Sequence, residues 1–423
     1  MSEDDIGIVI NNAIRHDLPS AIKLIFWAGD VRKGLGERRF FRLALKKISE
    51  LGMLEELFPF IPFYSRWDIL FDYEESIPFV AKAFNQGSDG LLFKWLPREG
   101  QKHEDYRKKL VKYLGISDKE YRQTCARKSK TVEQKMSANK WSQINYSHVP
   151  SIAFSRLRQA FRKHDPLGFE KFVNDAKEGK AKINAAAIHP PQIVRGAERG
   201  AIDWAAADAQ WKNLPDFSPG AQTLVVCDTS GSMTMGDSNI APLTVAISLG
   251  IYFSERLKGT WEGILCTFDT NPTFAQIKKE STLKEKFQAI SKLPWGGTTN
   301  IENVFKGMLQ FSTNYNIPKE QMPKQIMIIS DMEFDGCVGG KTIFHTAKDL
   351  FTRAGYELPE IIFWNVNGRI GNVPVKVNEH GVKLISGSSP SVMKFVLEAG
   401  ADPMSLVNNI LNDPRYSLQQ QNI

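Results

Sequence analysis

Five short, almost unbroken apolar runs recur along the second half of the chain: TLVVCDTS, GILCTFDT, QIMIISDM, EIIFWNV and VKLIS. A strand that is apolar on both sides must be covered on both sides, which is the situation of a parallel sheet sandwiched between helices. Helix-like segments lie between the runs, at Ile240 to Leu257, Leu283 to Leu293, Ile301 to Phe311, Thr342 to Ala354 and Pro390 to Ala399. Strands alternating with helices predict an α/β doubly wound parallel sheet over 215–423.

The first half reads differently. SAIKLIFWAGDVRK, ERRFFRLALKKISELG and EESIPFVAKAFNQG place apolar residues three and four apart and end near Gly or a basic residue, as helices do. Further helices are expected at HEDYRKKLVKYLG, KEYRQTCARKSKTVEQKMS, SIAFSRLRQAFRKHD and GFEKFVNDAKEGK. Short turns separate them, which predicts an α-helical repeat (HEAT-like) part over 1–205, with antiparallel pairs stacked in the manner of a solenoid. The stretch DWAAADAQWKNLPDFSPGAQ is loosely patterned and proline-bearing, and is expected to carry the domain boundary. Gly34 and Gly36 of RKGLGE look like a phosphate loop, but no strand precedes them and no GK[ST] follows. A tight interhelical turn is expected there.

Charge is informative once it is located. The formal net charge is +7, yet residues 1–100 and 215–423 each carry a net of −2 and residues 101–214 carry +11. A localised basic excess points to a polyanionic partner. Cations alternate with aromatics there, in KWLPREGQKHEDYRKKLVKYLG and NKWSQINYSHVPSIAFSRLRQAFRKHD. Lys and Arg neutralise phosphates, and aromatic or guanidinium planes stack on unpaired bases. Lys140, Arg156, Arg158, Arg162 and Lys163 are the candidate RNA contacts, the last four partly sharing one helical face. A solvated helix surface is the bland alternative, and core anchoring is the bland reading of Trp95 and Trp141. The four cysteines (Cys125, Cys227, Cys266, Cys337) are widely spaced, with no CxxC pair. A disulfide framework and a zinc ribbon are not expected, and a reducing, cytoplasmic compartment is. MSEDDIGIVINNAIRHD lacks the basic-then-apolar order of a secretory leader, and IAPLTVAISLGIYF is too short for a membrane span.

Three predicted strand ends carry oxygen-bearing side chains: Asp228, Ser230 and Ser232 in DTSGSM, Thr298 and Thr299 in WGGTTN, and Asp331 in IISDM. Ligands of open parallel sheets bind beyond the carboxyl ends of the strands. Carboxylate and hydroxyl oxygens without imidazole or thiolate suit a hard divalent ion, Mg²⁺ above all, with Mn²⁺ or Ca²⁺ as alternatives. D-x-S-x-S alone is equally an Asx-type turn leading into a helix, with Ser232 as an N-cap. A serine nucleophile needs a histidine base, and neither His345 nor His380 has a motif linking it to Ser230 or Ser232. GxSxG and GxGxxG are both missing. An enzyme is therefore not expected, although Asp269 and Glu333, near strand ends, could add carboxylates to a two-metal site.

DTSGSM, GGTT and the later SD, in that order, resemble the metal-ion-dependent adhesion site (MIDAS) of the von Willebrand factor A domain family. The resemblance implies that Asp228, Ser230, Ser232, Thr298 and Asp331 bind the metal; the tandem threonines leave Thr299 open as the alternative to Thr298. It also implies a protein partner that completes the site with an Asp or Glu. DVRKGLGERRFFRLAL, KWLPREG and the stretch from Lys140 to Asn184 resemble the N-terminal part of an uncharacterised family of cytoplasmic plant, fungal and viral proteins ending in the same kind of domain. Helical repeats followed by this domain are similar in order to the Ro (TROVE) family, whose helical ring binds defective and small noncoding RNAs. The helical part here is shorter than Ro's, so what carries over is a curved basic surface. Together the resemblances imply a Ro-like, non-enzymatic RNA-binding protein with a metal-bearing domain. The alternative is a metal-dependent protein-protein interaction module in a larger assembly, without RNA.

Overall fold

Amphipathic spacing becomes helix through most of the first 137 residues. In the computed structural model, which describes residues 3–87, 90–129, 131–185, 188–218, 222–234, 240–268, 271–293, 301–332, 343–367, 382–387 and 403–418, the helices are α1 (Glu3–His16), α2 (Leu18–Gly29), α3 (Arg38–Glu50), α4 (Ile61–Tyr64), α5 (Ile77–Gln86), α6 (Gly90–Trp95), α7 (Glu104–Leu114), α8 (Asp118–Ser129) and α9 (Val132–Ser137). Their apolar faces meet in one core, in which Phe26, Phe41, Leu45, Leu70, Leu92 and Tyr121 are fully buried. RKGLGE is a turn between α2 and α3. The Gly34 and Glu37 amides donate back to Asp30 O and Ala28 O, and a Cβ on Gly34 would overlap the Trp27 carbonyl oxygen. The C-terminal helix Pro403–Asn412 and the turn after it belong to this same unit, Met1–Ile144 with Asp402–Ile423. Arg415 donates to both oxygens of the fully buried Asp30 (2.5 and 3.1 Å), and Tyr416 donates to Oδ2 (3.1 Å).

The second unit, Asn145–Ala401, opens with four helices: α10 (Ser151–His164), α11 (Pro166–Lys177), α12 (Pro190–Glu198) and α13 (Trp204–Lys212). The strands follow as β1 (Thr223–Asp228), β2 (Ile264–Phe268), β3 (Phe274–Gln276), β4 (Gln325–Ser330), β5 (Glu360–Asn365) and β6 (Val382–Ser386), with helices α14 (Pro242–Ser254), α15 (Leu283–Ser291), α16 (Ile301–Asn314) and α17 (Ile343–Arg353). Among the described residues the sheet order is β3-β2-β1-β4-β5-β6, parallel except for the β2–β3 pair. The expected strands are present, and β3, too short to carry a pattern, is added at the edge. The expected helix Pro390 to Ala399 lies outside the described residues.

Period two divides the strands between the faces. Leu224, Val226, Cys266, Ile328 and Phe363 join Val304, Phe305 and Met308 of α16 and Phe351 of α17 in one core. On the opposite face Cys227 lies against α14, its thiol donating to Ala246 O (3.2 Å), and Trp364 meets Phe253 at 5.5 Å. Gly250 permits the close approach: a Cβ there would overlap Cys227 Sγ and reach the Leu265 side chain. The architecture is thus a helical region followed by a mostly parallel six-stranded sheet flanked by helices. Among the described residues no helix is long and apolar enough to cross a membrane.

The expected boundary at 205–215 falls inside the second unit. α13 occupies the stretch read as a linker, α12 packs on α14, and α13 packs on α15. The physical reason is α14 itself. Every residue from Thr244 to Ser254 is buried, so the sheet covers one side and other helices must cover the rest.

Candidate functional site

The sheet reverses its winding at β1. The chain passes from β1 to β2 on one side and later returns to lay β4 on the other, so the crevice at the carboxyl ends of β1 and β4 is the topological switch point. Asp228 ends β1 and is fully buried; Asp331 follows β4 and is 2% exposed. DTSGSM turns on its own aspartate: Asp228 Oδ1 accepts from the Ser230 amide (2.9 Å), and the chain continues as a 3₁₀ turn, Gly231–Thr234. Met233, fully buried, pins that turn to the interior. The Asx turn of the bland reading is therefore present. The N-cap is not, because α14 begins after Ala241, without a side-chain cap.

The turn and the oxygen cluster are compatible, since a carboxylate has about four lone-pair sites. Ser330, fully buried, donates to Asp228 Oδ2 (2.5 Å) and accepts from the Met332 amide (2.9 Å). Met332 sits at φ 67°, a left-handed conformation unusual for a side-chain-bearing residue. Ser230 Oγ and Ser232 Oγ are hydrogen-bonded to each other at 3.1 Å. Burial, and to a smaller extent the charge of Asp331, outweigh the hydrogen bonds from Ser330 and Ser230, so the Asp228 carboxyl is raised to about 6. Two buried acids that repel each other are eased either by a proton kept on one of them or by a cation.

The donor set can be tested against such an ion. Adjacent ligands on an octahedron with Mg–O bonds of about 2.1 Å lie roughly 3.0 Å apart, and the two serine hydroxyls have that separation. Asp228, Ser230, Ser232 and Asp331 are the described residues able to hold it. Thr298, Thr299, Asp269, Glu333, His380 and the side chain of His345 lie outside the described residues. Ser330 was not singled out from sequence as a site residue, although the SD dipeptide contains it. Its role depends on β1 and β4 being neighbours, which no local pattern states.

The candidate RNA contacts separate into two groups. Arg156 and Lys163 are exposed on α10, and Lys140 is exposed in the first unit. Arg158 is 3% exposed; it donates to Ala201 O (3.2 Å) and is ion-paired with Asp203. Arg162 is engaged by Glu170 and Asp203, both at 3.1 Å. Arg158 thus braces α10 against the start of α13, and its charge is turned inward.

Two family models match the chain, both described as domains of unknown function: DUF2828 over residues 87–216 and DUF7788 over residues 222–413. An uncharacterized protein, L728, of Acanthamoeba polyphaga mimivirus is 26% identical over 467 residues, covering 94% of this chain and 80% of its own. The crystal structure of the Deinococcus radiodurans RO (RSR) protein is similar with a TM-score of 0.39 and 13% identity, covering 92% of this chain and 90% of that one.

Proposed function

We propose that the protein is a Ro-like, non-enzymatic RNA-binding protein whose α/β unit grips a divalent cation, most suitably Mg²⁺. In this reading Asp228, Ser230, Ser232 and Asp331, with Thr298 or Thr299, hold the ion and leave a position for an oxygen of a partner. The observation that carries the metal half is the convergence of Ser230 Oγ and Ser232 Oγ to 3.1 Å beside the buried Asp228. The RNA half is supported by the +11 net charge confined to residues 101–214. Arg156, Lys163 and Lys140 are the contacts kept in it, while Arg158 serves the fold.

RNA binding against salt concentration, with Mg²⁺ titrated calorimetrically in parallel, tests both halves. Each phosphate neutralised on a single strand adds about −0.7 to the log–log slope. Arg156→Glu with Lys163→Glu flattens that slope, and Asp228→Asn abolishes Mg²⁺ binding without altering it. A flat salt response in the wild type overturns the RNA half, and Mg²⁺ binding retained in Asp228→Asn overturns the metal half. The second reading, a protein-interaction module without RNA, is favoured by the ion pairing that engages the buried Arg158 and the exposed Arg162. It predicts a co-purifying protein released by EDTA and lost in Asp228→Asn.

A further inference from the structure

The second unit contains an open cavity of about 680 Å³ lined by the end of α11 and the loop after it, by α13, and by the start of α15. Its size falls within the roughly 300–1,000 Å³ of ligand pockets. Among the described residues Lys177, Lys180, Lys182, Lys212 and Lys284 line it, against a single lining carboxylate, Asp208. That carboxylate is already committed, accepting from the Leu283 amide (2.9 Å) and pairing with Lys212 (2.8 Å). Trp204 also lines the cavity, with its indole tilted against Phe287 at 5.9 Å.

Helix dipoles account for part of the lysine set and not for the rest. Lys177 and Lys212 end α11 and α13, where a cation is favoured, and Lys180 pairs with Glu178 (2.5 Å). Lys284 lies in the first turn of α15, where the N-terminal dipole disfavours it, and Lys182 follows the Gly179 turn. Both are exposed, and neither makes an ion pair among the described residues. A lysine held where it costs stability, beside a cationic cavity with an aromatic wall, fits an anion that carries a ring.

We propose that this cavity binds a nucleotide unit, its phosphates on Lys182 and Lys284 and its base against Trp204. The unit comes from a free nucleotide or from a single-stranded RNA. The site shares no residue with the sheet-edge oxygens or with Arg156 and Lys163, and only its RNA source rests on the function proposed above.

The test is calorimetric titration of the full chain at low salt with ATP, with a 5′-phosphorylated RNA hexamer, with pyrophosphate, and with a long RNA. The proteins are wild type, K182E/K284E, Trp204→Phe, and R156E/K163E as a control elsewhere, each checked for an unchanged melt. ATP or the hexamer binds the wild type, K182E/K284E weakens that binding about tenfold or more, and Trp204→Phe weakens it about threefold or more. Whichever ligand binds tighter names the source. ATP binding unmoved in R156E/K163E while long-RNA binding falls supports the pocket as a separate site. No binding of ATP or hexamer, affinity within about twofold of wild type in K182E/K284E, or pyrophosphate binding as tightly as ATP overturns the proposal. Long-RNA binding that survives any of these results leaves the function proposed above standing.

Discussion

Ser330→Ala separates the scaffold of the sheet-edge site from its ligands. The hydroxyl joins two elements, donating to Asp228 Oδ2 at 2.5 Å and accepting from the Met332 amide at 2.9 Å, with the side chain fully buried. A hydrogen bond to a charged group contributes about 1.5–3 kcal/mol, and an orphaned buried N–H costs about 1–3 kcal/mol. The two losses share one atom and do not add fully, so a destabilisation of about 2–4 kcal/mol is expected. At about 2–4 °C per kcal/mol for a unit of this size, the melting temperature falls by roughly 4–16 °C. Ser232→Ala is the paired control. Among the described residues its hydroxyl meets only Ser230 Oγ, so it should cost below about 1 kcal/mol in EDTA. A saturating ion present at about 100 times its Kd stabilises the wild type by about 2.7 kcal/mol, and Ser232→Ala loses most of that gain. Urea denaturation and thermal melts at pH 7, with EDTA and then with Mg²⁺, measure all of this. If Ser330→Ala in EDTA lies within about 1 kcal/mol of wild type, a water has taken the place of the hydroxyl and the rigid scaffold is refuted.

Two further perturbations address the ion pairs. Burial pushes the Asp203 carboxyl up, but the Ala206 amide and the Arg158 and Arg162 guanidiniums outweigh it and hold it below the usual carboxylate range. A depressed folded pKa contributes stability that is present above the unfolded value, about 3.9, and is lost as pH falls through the folded one. Asp203→Asn therefore lowers the urea midpoint at pH 7 and removes much of the wild type's decline below about pH 4; a midpoint unchanged at pH 7 contradicts this. In the first unit, Asp30→Ala leaves Arg415 and Tyr416 without their buried carboxylate and should cost about 3–5 kcal/mol. Hydrogen exchange over 403–418 should rise sharply, and protection equal to wild type would show that apolar contacts alone seat that segment.

Legibility in the sequence followed the range of the interaction. The parallel strands were readable because burial on both faces writes itself into consecutive residues, as in LVVC and QIMIIS. That Asp228 and Asp331 stand at the ends of β1 and β4 was readable because the apolar runs stop there. Ser330 was not singled out, because its partner Asp228 lies 102 positions away and only the sheet order makes them neighbours. Arg158 read as surface for the same reason: helical spacing places it beside Arg162, while its partner Asp203 lies 45 positions on. β3 has three residues and one neighbour, too little to imprint a pattern.

The packing of the helices before 215 onto the sheet unit was legible in a stretch read only as a helix. IAPLTVAISLGIYF is apolar all round, and such a helix must be enclosed on every side. The sheet supplies one wall, and α12 and α13 supply others. Trp211 Nε1 donates to Glu255 Oε1 (2.6 Å), Arg256 donates to Trp211 O (3.3 Å), and Tyr252 OH donates to Pro215 O (2.6 Å). Lys286 closes the group on Glu255 at 2.7 Å. A fragment beginning at 215 loses Trp211 and the buried Ile193 and Val194. At about 1.5–3 kcal/mol for each large buried apolar side chain, that removes about 5–9 kcal/mol, comparable with the whole stability of a domain, about 5–15 kcal/mol. It also leaves Glu255 without its indole donor. A fragment spanning 145–401 keeps these contacts and should unfold cooperatively, whereas 215–423 should be aggregated or lack a transition. Circular dichroism melts of the two fragments decide it, and a cooperative melt for 215–423 would show that α14 finds its cover without α12 and α13.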